Sequence, residues 1–359
     1  MSTQRIPSLD GLRAISIALV LLSHWVTWSR VSPLLIQSYG KLGVHVFFVL
    51  SGYLITNLLL REHARTSTIS LRDFYVRRAF RIFPAALVFL AVAVGLFLPQ
   101  MRWYHVAAAL LYVANMDSAR PWIFGHLWSL AVEEQFYLLW PFAVKKWYRH
   151  RTAILLGVFL IAPVFRTVLY AFRAQSGILV GSLPVHADQV AVGCLLAIFA
   201  PRLPKISGYM ALAMIFVVVL VPGFSMSSSP RTLFMLFVLR PLLHVSIAGC
   251  VLHVMQAPYR ALNWPPVAWL GKISYSVYLW QELFLPGSGL HLGYVGLPLT
   301  LACACLSYYL IEQPMLRVRD ARARPPVPTS QPSSQLTDIA DPEVDKCLSA
   351  RNYELCNPV

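Results

Sequence analysis

Residues 9–25 read "LDGLRAISIALVLLSHW", an almost unbroken apolar run with an arginine, Arg13, near its start and a histidine, His24, near its end. The rest of the chain decides what kind of helix this is. Of 359 residues, 57% are hydrophobic and 13% charged, and the mean hydropathy is +0.61. Such apolarity belongs to polytopic membrane proteins rather than to soluble domains. The net charge of +15 would suit a nucleic-acid binder if the bases formed one face. They fall instead in short knots between apolar runs, the positive-inside pattern, so the expected partner is the lipid bilayer and no nucleic acid is expected. No small-residue cleavage site follows the first run, which is read as a spanning helix rather than a secretory signal.

A span needs about 20 mostly apolar residues. On that rule the sequence predicts an all-α bundle of about ten transmembrane helices, at 11–30, 41–60, 80–98, 126–145, 152–172, 186–201, 206–223, 231–255, 264–286 and 293–312. The stretch 104–116, "YHVAAALLYVANM", is too short to cross and is read as a re-entrant or interfacial segment. With the N-terminus inside, nineteen Lys and Arg fall on the inner side against six outside, including Arg30, Arg173 and Arg231. Both termini are therefore expected in the cytoplasm. Residues 1–320 form the expected membrane domain. The Pro-, Ser- and Asp-rich stretch 321–359 is expected to be a disordered tail. None of the six cysteines, Cys194, Cys250, Cys303, Cys305, Cys347 and Cys356, has a metal-ligand spacing with histidine. They are read as packing or reduced thiols, and no metal is expected.

Ionisable groups at membrane depth cost at least ~2.5–3.5 kcal/mol each, so they face protein or water and are functional candidates. Arg13 and His24 are eleven residues apart, about three helical turns, so they share one stripe roughly 16 Å long. The alternative is a snorkelling arginine and a packing histidine. "KLGVHVFFVLSGYLI" brings His45 to a depth close to that of His24, and Ser51 and Gly52 to mid-membrane, where small residues permit close backbone approach. "LRDFYVRRAFRIFP" is the densest basic cluster: Arg77, Arg78 and Arg81 precede Pro84 at an expected helix start, a combination that suits phosphate or, alternatively, anionic lipid. In "HLWSLAVEEQFYLLWP", Glu133 and Glu134 lie too deep for solvated carboxylates. One of them is expected to accept a proton or orient a histidine, with an ion pair to Arg166 or Arg240 as the alternative. Asp188, Arg240, His244, Lys272 and Glu282 complete the buried set, each open to a structural or a functional role.

In this order the motifs "RIPSLDGLRAISIALVLLSHW", "GVHVFFVLSGYLI", "FYVRRAFRIFPA", "HLWSLAVEEQFYLLWP" and "WLGKISYSVYLW" resemble the integral-membrane acyltransferase-3 family over about residues 5–315. The resemblance implies acyl-CoA-dependent O-acyl transfer, commonly of acetyl, to a hydroxyl acceptor: a glycan, a glycolipid or a small molecule such as a macrolide. Acyl-CoA is then a substrate and no permanently bound cofactor is implied. By motif, His24 matches the family's essential histidine, Arg13 its partner on the first helix, and Arg78 and Arg81 the donor-associated basic motif. Ser51 and Gly52 match the second-helix motif, and Glu133 or Glu134 the acidic fourth-span motif. The chain departs from its relatives at His186, where they often have Arg before the acid, and at Gln281, where they often have His. Without the fused extracytoplasmic domain of some relatives, a polysaccharide acceptor is expected to meet this bundle alone or another protein.

The expected mechanism follows. Arg13, Arg77, Arg78, Arg81 and Lys272 hold the CoA phosphates, with Ser51 and Gly52 beside the pantetheine path. His24, oriented by Glu133 or Glu134, deprotonates the acceptor hydroxyl, while His45, His186, Asp188, Arg240 and Glu282 lie on the acceptor side. A covalent route through His24 or Ser51 remains open. A proton-coupled transporter is the rival from another class, though matching Gly/Pro-broken helices are not evident. The expected location is a bacterial inner membrane.

Overall fold

The computed structural model describes residues 7–26, 33–172, 181–220, 234–257, 259–285, 292 and 295–322, and among them there is no strand. The helices are α1 (Pro7–Val26), α2 (Pro33–Thr66), α3 (Leu71–Phe97), α4 (Trp103–Leu110), α5 (Leu127–Lys146), α6 (Arg151–Ala171), α7 (Leu183–Phe199), α8 (Gly208–Leu220), α9 (Arg240–Gln256), α10 (Arg260–Asn263), α11 (Pro265–Phe284), α12 (Gly296–Ser307) and α13 (Gln313–Arg322). Two π-helical turns, Met235–Leu239 and Tyr308–Glu312, lead into α9 and α13.

Among the described residues, five helical stretches are long and apolar enough to cross a membrane: Tyr39–Thr66, Leu71–Gln100, Tyr148–Ala171, Leu183–Arg202 and Met235–Gln256. α5 and α11 fall short of that apolarity for a physical reason. Their polar residues, among them Ser129, Ser276, Gln281 and Glu282, are buried against other helices, so the span need not be hydrophobic on every side. On the periphery the opposite holds. Leu160, Ile161, Leu212 and Phe216 are exposed along α6 and α8, a surface suited to hydrocarbon and not to water. The chain is an integral membrane protein.

Several expected boundaries shift. α2 is 34 residues long, about 51 Å at 1.5 Å per residue, and outruns a hydrocarbon core of about 30 Å. α3 begins at Leu71 and not near residue 80. Ser70 caps it by accepting the Asp73 N–H at 3.3 Å, and Asp73 adds a negative charge in the first turn. Pro84 therefore lies inside α3, and the helix N-terminus expected beside Arg77, Arg78 and Arg81 is nearly two turns from the first two and nearly three from Arg81. The 104–116 stretch forms the short α4 and then the 3-10 turn Ala114–Met116. By contacts the chain separates into Met1–Arg319 and Asp320–Val359. Beyond Arg322 the tail, with Cys347 and Cys356, lies outside the described residues, as do Arg30, Arg173 and Arg231.

α1, α2, α7 and α11 form the centre, α1 packing on α2 and α11, and α2 on α7. The α2–α7 crossing is backbone against backbone. A Cβ placed on Gly52 would lie 2.2 Å from the Val190 carbonyl oxygen, and one on Gly193 2.0 Å from that of Val49. At α1–α11, a Cβ on Gly271 would lie 1.8 Å from the Asp10 carbonyl oxygen. Only glycine permits these approaches, the small-residue packing that holds helices together where hydrophobicity offers no drive. Because backbone atoms are the obstacles, Gly193→Ala is expected to destabilise by about 3 kcal/mol or more. Gly157→Ala, with nothing within 4 Å of the added carbon, should leave thermal stability in detergent equal or higher. Thermal aggregation followed by size-exclusion chromatography reads both, and an unshifted Gly193→Ala variant would refute the packing account.

Candidate active site

The last turn of α1 carries His24, whose Nδ1 donates to the Val20 carbonyl at 2.9 Å. That bond places the proton on Nδ1 and leaves Nε2 as the basic nitrogen of the neutral ring. Nε2 lies 3.6 Å from Glu282 Oε1, and the His24 side chain is 26% exposed. The same carboxylate oxygen lies 3.9 Å from Nδ1 of His126, which stands at the start of α5. Neither ring nitrogen of His126 has a hydrogen-bond partner among the described residues. Trp122 meets the His24 ring edge-on at 6.2 Å, and Arg120 is within electrostatic range of Glu282. Arg120 is fixed by donating to the carbonyls of Asp117, at 2.7 Å, and Gly125, at 3.3 Å.

His24 was expected to take Glu133 or Glu134 as its orienting acid, and the structure gives it Glu282. Glu133 instead accepts from Ser51 and Tyr137. Tyr137 follows Glu133 by one turn, so α5 aims both at α2 and α3. Arg78 stacks over the Tyr137 ring at 5.0 Å and lies in electrostatic range of Arg81, Glu133 and Glu134. Arg13 is in range of Arg81, Asp10 and Glu133, and Glu312, which accepts from Ser276, is in range of Arg81 and Arg13. The cations and carboxylates were expected to separate toward opposite ends. They interleave, because Glu133 and Glu134 sit about two turns down α5 and meet α3 there.

Three donor-side residues have other surroundings than expected. Arg77 forms an ion pair with Glu62 at 3.2 Å, and Glu62 also accepts the Ser70 N–H at 2.7 Å, so this arginine ties the end of α2 to the start of α3. Gly52 is filled by the α7 backbone and offers a ligand no surface. Lys272 is half-buried on α11, next to the Gly271–Asp10 approach.

The remaining acceptor-side residues form a separate network. Arg166 grips Asp188 with both terminal nitrogens, at 2.9 and 3.3 Å, and also donates to the Val185 and Leu236 carbonyls. The Leu236 carbonyl belongs to a π turn. The terminal nitrogens are satisfied in this way, which offsets part of the desolvation cost of the buried pair, while the Arg166 Nε has no hydrogen-bond partner among the described residues. Asp188 also faces His244 Nδ1 at 3.1 Å, and His244 Nε2 lies 3.3 Å from His45 Nδ1. The arginine proposed as a partner for Glu133 or Glu134 thus belongs to Asp188. Arg240 is within range of Asp188 and Arg166. His186 is hydrogen-bonded to Gln189 at 3.2 Å, with its ring 4.9 Å from that of Trp128, and is within electrostatic range of His45.

Sequence reasoning missed His126 and the pairing role of Glu282. The signal available for His126 was its place as the first residue of "HLWSLAVEEQ", one residue outside α5 and on the His24 side of the bundle.

Comparison with known proteins places these residues in a family. Residues 6–311 match the acyltransferase-3 model, described as an acyltransferase domain. The chain is 28% identical over 316 residues to the peptidoglycan O-acetyltransferase OatA of Listeria monocytogenes, covering 78% of this chain and 49% of that protein. It is 30% identical over 362 aligned positions to YrhL of Bacillus subtilis, provisionally named a peptidoglycan O-acetyltransferase, covering 86% and 55%. A Staphylococcus aureus protein provisionally named an O-acetyltransferase is 30% identical over 355 positions, covering 86% and 57%. The chain spans about half the length of the curated relatives it matches. No solved structure gives a significant match. With the match running through the helices that carry His24, Arg78, Glu133 and Glu282, the chain belongs to the acyltransferase-3 family.

Proposed function

We propose that this protein is a membrane O-acyltransferase that moves an acyl group, acetyl in the simplest case, from acyl-CoA to a hydroxyl of a cell-envelope glycan or glycolipid. The observation that carries the reading is the His24–Glu282 pair, an imidazole with its Nδ1 proton already committed and a buried carboxylate 3.6 Å from its basic nitrogen. The gap is wider than a hydrogen bond, and an acceptor oxygen can sit within bonding distance of both atoms. His24 takes the hydroxyl proton as the oxygen attacks the thioester carbonyl. Glu282 steadies the imidazolium that forms. The tetrahedral oxyanion then collapses, releasing the CoA thiolate, which takes up a proton.

Arg13, Arg78 and Arg81 are proposed to receive the CoA phosphates about 16 Å from His24 along α1, a reach comparable to the pantetheine arm. That end, holding the starts of α1 and α3, is assigned to the cytoplasm, with both termini inside and the protein in a bacterial inner membrane, on the Lys and Arg distribution. The bundle is proposed to contain about ten spans. The names of the relatives support a glycan acceptor of the peptidoglycan type.

Purified protein with acetyl-CoA, an acceptor and thiol detection tests the assignment. His24→Ala is expected to abolish CoA release, and Glu282→Gln to lower kcat by about 10²–10⁴-fold. Unchanged turnover in His24→Ala removes that residue from the mechanism. Arg78→Ala should raise KM for acetyl-CoA at least tenfold with a smaller effect on kcat, whereas an unchanged KM would exclude Arg78 from the donor site. With labelled acetyl-CoA and no acceptor the protein should remain unlabelled, and label on His24 or Ser51 would establish a covalent route instead.

A further inference from the structure

A cavity of about 100 Å³, open on one side, lies between α3, α4, α5 and α11, outside the polar groups used above. Its lining is almost wholly apolar, and three of its residues, Phe83, Leu87 and Leu110, are exposed at the bundle surface. In an integral membrane protein such a mouth opens sideways into hydrocarbon. Another lining residue, Phe89, is fully buried and meets the His126 ring edge-on at 5.4 Å. His126 in turn approaches Glu282, and Glu282 approaches His24. The Phe89 ring therefore separates the cavity from the histidine cluster by a single side chain.

One polar group lines it. Tyr112 has φ of 52°, the left-handed region that an aromatic residue rarely occupies. The conformation is held by Gln135 donating to the Tyr112 carbonyl at 3.1 Å and by the ring stacking on Phe83 at 5.6 Å. The Tyr112 hydroxyl is buried and has no hydrogen-bond partner among the described residues. An apolar slot with a lone unsatisfied hydroxyl suits a long hydrocarbon that carries an oxygen at its head.

We propose that this cavity binds the hydrocarbon anchor of a lipid-linked glycan, holding the glycan's hydroxyl within reach of His24. The inference rests on the acyl-transfer reading and names its acceptor class. Phe89 brings the cavity against His126 at the His24–Glu282 end, where the acceptor hydroxyl reacts, while Tyr112 lies within electrostatic range of Glu134 on its other side. Entry from the bilayer also explains how a polar sugar reaches a site flanked by exposed apolar helices.

The test uses the full-length protein in detergent–lipid micelles and a long-chain alkyl glucoside with a diazirine in its tail, without acetyl-CoA. After illumination, mass spectrometry is expected to find label concentrated on peptides containing residues 83–90 and 109–130. Excess unlabelled alkyl glucoside should compete, and labelling should fall at least fivefold in Ala86→Phe and in Ala109→Phe, which narrow the slot from two different helices. Both variants are first checked for a monodisperse size-exclusion peak, and if one misfolds the other decides. Label spread evenly over α6 and α8, equal competition by a diacyl phospholipid, or competition by palmitoyl-CoA but not by the glucoside would each overturn the proposal. Because no acetyl-CoA is present, this outcome is independent of transfer. The acyl-transfer reading fails separately, if wild-type protein releases no CoA with any acceptor.

Discussion

Glu282 imposes the constraint on which the rest of the bundle depends. A carboxylate 3% exposed, inside a membrane protein, must be met by donors or by a proton. The groups around it come from different parts of the chain: His24 from the end of α1, His126 from the start of α5, and Arg120 from the preceding loop. Gathering these groups around one acid draws α1, α5 and α11 to one point, and its Oε2 is left without a hydrogen-bond partner among the described residues. The close Gly271–Asp10 approach lets α11 lie against α1 so that the acid can get there.

The arginine end works under a different balance. Arg13, Arg78 and Arg81 stand among Asp10, Glu133, Glu134 and Glu312, so their charge is already answered within the protein. Under the proposed function an incoming phosphate exchanges one set of anions for another. Such an exchange favours a ligand that presents several oxygens at once, since guanidinium forks reward bidentate contact. Tyr137 belongs to this balance, donating to Glu133 while its ring lies beneath Arg78.

Much of the fold was legible because membrane depth converts hydrophobicity into length. The apolar runs gave α1, α5, α6, α7 and α11 to within about four residues, and the single stripe holding Arg13 and His24 follows from helical repeat alone. The Arg78 and Glu133 motifs were visible as costly residues in apolar surroundings. What could not be read was which costly residue meets which. Two adjacent acids on α5 looked like the natural partners for His24, but they face Ser51 on α2 and Arg78 on α3, whereas Glu282 reaches His24 from far along the chain. The helix start was misplaced to Pro84 because proline favours first turns, while the Ser70 cap, tied back by Glu62, starts the helix earlier.

α11 places Ser276, Tyr278 and Glu282 within two turns of one continuous helix. Ser276 is bonded to Glu312 beside the arginines, Tyr278 to Ser129 on α5, and Glu282 lies against the histidines. A helix is stiff along its axis, so these attachments keep a fixed spacing. The two ends of the site are thereby geared together: a rotation or slide of α11 that adjusts the arginine end also resets the histidine end, and neither can be retuned alone.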